Sequence, residues 1–188
     1  MSMLVDERCL RYSEQAPDLQ MAFFASNITV ALKEFLLTEQ RCPPDWRTFD
    51  LYLFRDDEVV FYVGQSYVAF DRVWRHILDG YKGRSVVGRF IHCNWPASIR
   101  FTIELLSSRS PQFADLDHDL LAAERRLIER HAPCFNVSLN RQPTPLPVCY
   151  APPGQRITSP RSLTKLINQA NMAVQADKRR AWAAAEDD

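Results

Sequence analysis

The sequence predicts an α/β protein of the α+β type, with a small three-stranded antiparallel sheet flanked by helices. Apolar and aromatic residues stand on both sides of a short acidic turn between residues 51 and 66, which is typical of a β-hairpin. Apolar and polar residues alternate over residues 99–105, which indicates a third, half-buried strand. Residues 68–79 and 116–131 instead carry apolar residues at three- and four-residue steps, the period of a helix that packs on a core.

Composition places the chain among ordinary globular proteins. Of its 188 residues, 46% are hydrophobic and 24% are charged, and 23 Lys and Arg balance 23 Asp and Glu, so the net charge indicates no partner. Residues 72–100 depart from this balance, because basic residues there outnumber the single acid, Asp79; a local basic surface is therefore expected. The basic residues are Arg72, Arg75, Lys82, Arg84, Arg89 and Arg100.

The five cysteines argue against a disulfide framework and against a zinc module, because they are odd in number, widely separated and free of C-x-x-C pairs. The N-terminus lacks the basic-then-apolar layout of a signal peptide. No apolar run approaches the ~18 residues that a membrane helix needs. We therefore expect a cytoplasmic protein with no membrane partner.

Residues 1–48, before the hairpin, are predicted to form an N-terminal helical extension. Apolar residues recur at helical spacing from Asp18 to Gln40, and the paired prolines Pro43 and Pro44 cannot continue a helix. The apolar residues are Met21, Phe24, Ile28, Ala31, Leu32, Phe35 and Leu36.

The hairpin places Tyr52 and Tyr62 on adjacent strands, beside the start of the helix at 68–79. Arg72 and His76 lie four residues apart in that helix and off its apolar stripe, so they are stacked on a second face. That face points either at solvent or at a site.

Residues 80–89 are rich in glycine and basic residues but match no Walker pattern. They form either a flexible connection with solvated charges or a loop that contacts phosphate, in which case Lys82, Arg84 and Arg89 would bind nucleic acid.

Glu124 interrupts the apolar face of the helix at 116–131. It lies four residues after Leu120 and four before Ile128, so its carboxylate falls in the middle of that face. Burying a lone carboxylate costs several kcal/mol unless the group is paired, protonated or bound to a metal. Glu124 is therefore either the partner of a core-facing arginine or a catalytic or metal-binding residue.

Beyond this helix, Asn136 stands between two apolar residues, where an asparagine either braces the backbone or touches a ligand. Residues 141–188 are predicted to form a proline-rich connector followed by a helical tail that starts near Ser159. The tail carries several basic residues, and one interpretation is a helix that merely packs on the core.

Taken together, these residues resemble the GIY-YIG nuclease family. Leu51-Tyr52 is followed by Tyr62-Val63-Gly64 and then by Arg72, at ten-residue steps, and the order of elements also matches. The hairpin is most similar to the UvrC subfamily of bacterial excision-repair nucleases. The resemblance covers residues 49–140, the nuclease core, and it departs from the family where Asp50-Leu51-Tyr52 replaces Gly-Ile-Tyr. The remaining matches are Glu124 and, twelve residues later, Asn136.

The resemblance implies a role for each matched residue. Tyr52 would accept or relay the proton of the attacking water, and Tyr62 would hold that water or the scissile phosphate. Arg72 would bind the phosphate, and His76 would assist proton transfer. Glu124 would ligate one Mg²⁺ or Mn²⁺ ion, and Asn136 would orient the site.

The expected function is a divalent-metal-dependent DNA endonuclease, of the restriction type or of the structure-specific repair type. DNA would be its partner, the basic tail would be a candidate DNA-binding element, and a symmetric cut would require a dimer or sequential nicking. The alternative is a non-cleaving nucleic-acid-binding protein that retains the fold.

Overall fold

A computed structural model of the chain describes residues 27–80, 82–154, 157 and 162–186. The described residues form an α+β fold, as the sequence predicts, built on a four-stranded antiparallel sheet with the order β1-β4-β2-β3. The strands are β1 (Asn27–Ala31), β2 (Leu51–Arg55), β3 (Val60–Gln65) and β4 (Thr102–Leu106). The α-helices are α1 (Leu32–Leu36), α2 (Ala69–Gly80), α3 (Val86–Cys93), α4 (Leu120–His131) and α5 (Leu163–Glu186).

The predicted helix between residues 18 and 40 is wrong over residues 27–31, which form a strand, and the predicted three-stranded sheet is wrong because this strand makes a fourth. Residues 27–31 form the edge strand β1, which pairs with β4 from Asn27 opposite Leu106 to Ala31 opposite Thr102. The β-branched run Ile28-Thr29-Val30 suits an extended strand that packs on a neighbour. Only residues 32–36 are helical, and residues 18–26 lie outside the described part.

The predicted hairpin is confirmed. Strands β2 and β3 pair in antiparallel register, with Tyr52 opposite Gly64 and Phe54 opposite Tyr62. The turn between them is closed by Asp56, whose Oδ1 accepts hydrogen bonds from the N–H groups of Glu58 and Val59 at 2.9 and 2.7 Å.

The region predicted as a loop over residues 80–89 is shorter than expected, because α3 begins at Val86. Ser85 caps this helix by accepting the N–H of Gly88 at 3.0 Å. Helices α2 and α3 cross where Gly80 meets Gly88: a Cβ atom built on Gly88 would overlap the His76 carbonyl oxygen. The missing side chain of Gly88 therefore sets how closely α3, and Ser85 with it, approaches α2.

The sheet buries side chains on both faces. One face packs on α1, α2, α3 and α5 through a core that includes Tyr52, Phe54 and Phe61, and the other packs on α4 through Leu53 and Val63. Helix α5 contacts α1 and buries Leu166, Ala170 and Val174, so the predicted helical tail packs on the core; the predicted start near Ser159 lies outside the described residues. Among the described helices, none is long and apolar enough to cross a membrane.

Candidate active site

Two tyrosines and a histidine form the centre of the candidate site. The hydroxyl of Tyr52 lies 2.8 Å from Nε2 of His76, and the two rings have a centroid separation of 5.6 Å. The Tyr62 ring lies 6.2 Å from the Tyr52 ring and 5.4 Å from the His76 ring. Tyr52 and His76 are buried, with 1% and 7% of their surfaces exposed, whereas Tyr62 is partly exposed. The structure thus brings together three residues that the sequence analysis singled out, and Tyr62 is the most exposed of them.

Gly64 makes room for this arrangement. It lies opposite Tyr52 in the hairpin, and a Cβ atom built on it would be 2.5 Å from Cζ of Tyr52 and 2.9 Å from Cε1 of Tyr62. Such separations are shorter than van der Waals contact, so any larger residue would displace one of the rings. The glycine of the hairpin therefore provides the space in which the Tyr52 ring lies.

Arg72 lies one turn before His76 on α2 and acts on the tyrosine pair. Burial raises the pKa of both tyrosines, and the Arg72 guanidinium opposes the rise: at Tyr52 by a hydrogen-bonding interaction and by its charge, at Tyr62 by its charge. Glu124 raises both pKa values by its negative charge. Both tyrosines are therefore neutral phenols at neutral pH, and a cation and a carboxylate act on both of them.

The imidazole of His76 is neutral at physiological pH. Burial is the largest cause that lowers its pKa from 6.5 to about 4, and the charges of Arg72 and Arg75 lower it further, while Asp79 raises it. The sequence analysis left this face of α2 open between solvent and a site. The structure places the His76 side chain inside the protein, against the tyrosines.

Removing the imidazole of His76 is expected to reduce the acid sensitivity of the fold. Because the folded-state pKa of about 4 lies below the unfolded value of 6.5, the contribution of His76 is fully present above about pH 6.5 and is lost as the pH falls toward 4. Between about pH 7.5 and about pH 5, the free energy of unfolding of the parent should therefore fall by about 2 kcal/mol more than that of His76→Gln. Urea unfolding at the two pH values measures this difference, and an equal fall in both proteins would contradict it.

Glu124 approaches the tyrosines from the opposite helix, α4. Its side chain is half-buried, and burial raises the pKa of the carboxyl, opposed by a hydrogen-bonding interaction with the side chain of Gln65. Among the described residues no ion pair reaches Glu124, so the arginine partner considered from the sequence is not found there.

The carboxylate of Glu124 fits a site in which a hard cation is held by one protein carboxylate. The described residues contain no group of three His, Cys, Asp or Glu side chains that could enclose a metal ion. Mg²⁺ retains several waters and is commonly bound through one or two carboxylates together with substrate phosphate oxygens. Glu124, a partly buried carboxylate with a hydrogen-bonding interaction to the neutral amide of Gln65, matches that pattern.

Asn136 holds the outer edge of β3. Its Oδ1 accepts the N–H of Val63 at 2.9 Å, and its Nδ2 donates to the carbonyl of Val63 at 2.8 Å. The N–H groups of Cys134 and Phe135 continue the pairing along the same strand. From the sequence, Asn136 is expected either to brace the backbone or to touch a ligand. In the structure it braces the backbone of Val63, the residue that follows Tyr62.

The three basic residues predicted to contact nucleic acid have different environments. Lys82 and Arg84 are exposed in the turn between α2 and α3. Arg89 lies within α3, half-buried, and its Nε donates to the carbonyl of Pro153 at 3.0 Å, which ties it to the connector. Lys82 and Arg84 are therefore exposed enough to contact a phosphate. Arg89 is less exposed, and its bond to Pro153 gives it a structural role.

The structure gives partners to Asp50, which the sequence analysis named only as a departure from the family pattern, and to Ser85, which it missed. Asp50, where the family pattern has glycine, directs its carboxylate to Ser108, accepting the backbone N–H at 2.7 Å and the hydroxyl at 2.6 Å. Ser85 places its Oγ 2.6 Å from Nδ1 of His76. A serine directly before the apolar residues Val86 and Val87 is a helix-capping signal that could have located α3, but nothing local indicates contact with His76.

Side chains from β2, β3 and α2 thus meet around Tyr52 and Tyr62, with Glu124 of α4 acting on both tyrosines and Ser85, the cap of α3, in contact with His76. No protein-family model, curated protein or solved structure matches the chain. A function for this protein is therefore inferred from the geometry of this cluster.

Proposed function

We propose that the protein is a divalent-metal-dependent DNA endonuclease of the GIY-YIG type, hydrolysing phosphodiester bonds. One observation carries the proposal: Tyr52, Tyr62 and His76 form the centre of one cluster, with the Tyr52 hydroxyl 2.8 Å from Nε2 of His76 and the Tyr62 ring 5.4 Å from the His76 ring. The charges of Arg72 from α2 and Glu124 from α4 both act on the pKa values of the two tyrosines, which agrees with this arrangement. Phosphodiester hydrolysis needs a cation for the phosphate, a carboxylate for a metal ion and hydroxyl groups that orient water, and this cluster supplies all three.

Tyr62 and Arg72 are the groups that substrate would meet. Both side chains are partly exposed, so a phosphate can reach them without rearrangement of the core. The guanidinium of Arg72 would bind two phosphate oxygens and stabilise the charge that develops on them. The hydroxyl of Tyr62 would hold the attacking water in line with the scissile bond. Tyr52 is buried, so its role is to orient Tyr62 and relay a proton rather than to contact substrate.

Glu124 would hold a single Mg²⁺ or Mn²⁺ ion. When bound, the ion supplies Lewis-acid stabilisation of the leaving 3′ oxygen. The amide of Gln65 orients the carboxylate for this contact, and partial burial limits competition from water. The products would be a 5′ phosphate and a 3′ hydroxyl.

Arg72→Ala is expected to lower the rate of plasmid nicking by about 100-fold, because one stabilising donor at a charged transition state contributes roughly that factor. The matched control is Arg75→Ala, since Arg75 is an exposed arginine on the same helix and should leave the rate unchanged. Supercoiled plasmid and branched DNA are incubated with each protein and Mg²⁺ or Mn²⁺, and nicked product is quantified on gels.

The same assay separates the nuclease from the alternative, a non-cleaving nucleic-acid-binding protein. Equal rates of nicking by the parent and by Arg75→Ala, with a rate about 100-fold lower for Arg72→Ala, support the proposal. Retained DNA binding by the parent, with no cleavage in either divalent metal, would contradict it and favour the binding protein.

A further inference from the structure

Ser85 is connected to Tyr52 through both nitrogens of one imidazole. The Oγ atom of Ser85 lies 2.6 Å from Nδ1 of His76, and Nε2 of the same ring lies 2.8 Å from the Tyr52 hydroxyl. All three side chains are buried, with at most 8% of each exposed. In a buried chain of hydrogen bonds, the direction of each bond is set by the donors and acceptors at its ends.

The direction of the first bond follows from the capping role of Ser85. Its Oγ already accepts the N–H of Gly88 at 3.0 Å, so one lone pair is used and the single hydroxyl proton needs an acceptor. The acceptor that it meets is Nδ1 of His76. A buried hydroxyl whose proton has no acceptor is costly, so donation from Ser85 to His76 is favoured.

Donation from Ser85 fixes the rest of the chain. If Nδ1 is the acceptor, the neutral imidazole carries its proton on Nε2 and donates it to the oxygen of Tyr52. Tyr52 then donates its own proton to another acceptor. The Tyr62 ring lies 6.2 Å from the Tyr52 ring, and Tyr52 acts on the pKa of Tyr62 as a hydrogen-bonding neighbour, so the Tyr62 hydroxyl is the acceptor beside it.

The backbone around Ser85 keeps this geometry in place. Ser85 is fixed as the cap of α3, and α3 is held against α2 at the crossing of Gly80 and Gly88, where a side chain on Gly88 would overlap the His76 carbonyl. The position of the serine relative to His76 is therefore set by helix packing rather than by the serine rotamer alone.

We propose that Ser85 is a positioning residue of the candidate site, which holds His76 as the Nε2–H tautomer and thereby directs the Tyr52 hydroxyl toward Tyr62. The inference rests on the proposed function for its effect on catalysis, but the tautomer can be measured without any substrate.

The test is nitrogen NMR of the histidine side chains in the parent, Ser85→Ala and Ser85→Thr. The two ring nitrogens differ in chemical shift according to which one carries the proton, and His76→Gln assigns the signal. We expect the Nε2–H tautomer in the parent, a mixture of tautomers in Ser85→Ala, and recovery of the parent tautomer in Ser85→Thr, which keeps the hydroxyl and the cap. Ser98→Ala is the matched control, because Ser98 is buried and donates to the carbonyl of Ile91 in α3.

Cleavage kinetics provide the second measurement. Ser85→Ala should lower kcat by roughly tenfold and leave KM unchanged, because Ser85 acts through His76 and not on substrate. Ser85→Thr and Ser98→Ala should both retain the parent kcat.

Two results would overturn the inference: the Nδ1–H tautomer in the parent, or a parent-like tautomer in Ser85→Ala. If the tautomer responds as expected but none of the proteins cleaves DNA with Mg²⁺ or Mn²⁺, the nuclease function fails while the structural role of Ser85 is supported.

Discussion

Glu124→Gln should lower DNA cleavage by about 1,000-fold while leaving the fold intact. The substitution keeps the size of the side chain and its place beside Gln65 but removes the charge that would hold a divalent ion. A metal ion at a transferring phosphoryl group stabilises the transition state by several kcal/mol, so losing its ligand has a large effect on rate. Plasmid nicking over a series of Mg²⁺ concentrations measures the loss.

The same substitution should leave thermal stability unchanged or slightly raised. Burial raises the pKa of Glu124, which means that the folded protein disfavours its charged form, and a neutral amide avoids that cost. Glu129→Gln is the control, because Glu129 is an exposed glutamate on the same helix and should retain full cleavage. Parent-like cleavage by Glu124→Gln would remove Glu124 from the proposed metal site.

Gly64→Ala should damage both stability and cleavage. The new Cβ would be 2.5 Å from Cζ of Tyr52 and 2.9 Å from Cε1 of Tyr62, and the Tyr52 ring is buried in the core. Overpacking of this kind costs roughly 1–3 kcal/mol. The displaced Tyr52 hydroxyl would also lose its alignment with His76, so cleavage should fall by at least about tenfold.

A pair of further variants separates the steric cause from a general loss of stability. Gly154→Ala is the control, since a Cβ atom built there meets nothing within 4 Å, and it should behave as the parent. The atom nearest to a Cβ built on Gly64 is the hydroxyl oxygen of Tyr52. In the double variant Gly64→Ala/Tyr52→Phe, loss of this oxygen should recover part of the unfolding free energy without recovering cleavage. Strictly additive effects of the two substitutions on stability would contradict the proposed contact.

The sequence predicts the elements whose patterns are local. The hairpin, α2 and α4 each carry a clear period, and the predicted positions of Tyr52, Tyr62 and Glu124 within them agree with the structure. The position of Glu124 on an apolar helix face already indicated a half-buried carboxylate, since helix geometry alone sets that relation.

The elements that the sequence misses depend on distant partners. Residues 27–31 have apolar side chains that fit a helix period, but pairing with β4, more than seventy residues later, makes them a strand. Helix α3 contains Gly88, which disfavours a helix, and the glycine is there because α2 passes against it. Contact between Ser85 and His76 likewise arises from this crossing, so no local pattern reveals it.

Asn136 has a consequence for how copies of this protein behave toward one another. By pairing with Val63, and with Cys134 and Phe135 pairing alongside, it occupies the outer edge of β3 with groups of the same chain. An unpaired strand at the end of a sheet is a template on which other chains can add and aggregate. The amide that braces β3 beside the candidate site therefore also makes this edge of the sheet less available for pairing with another copy.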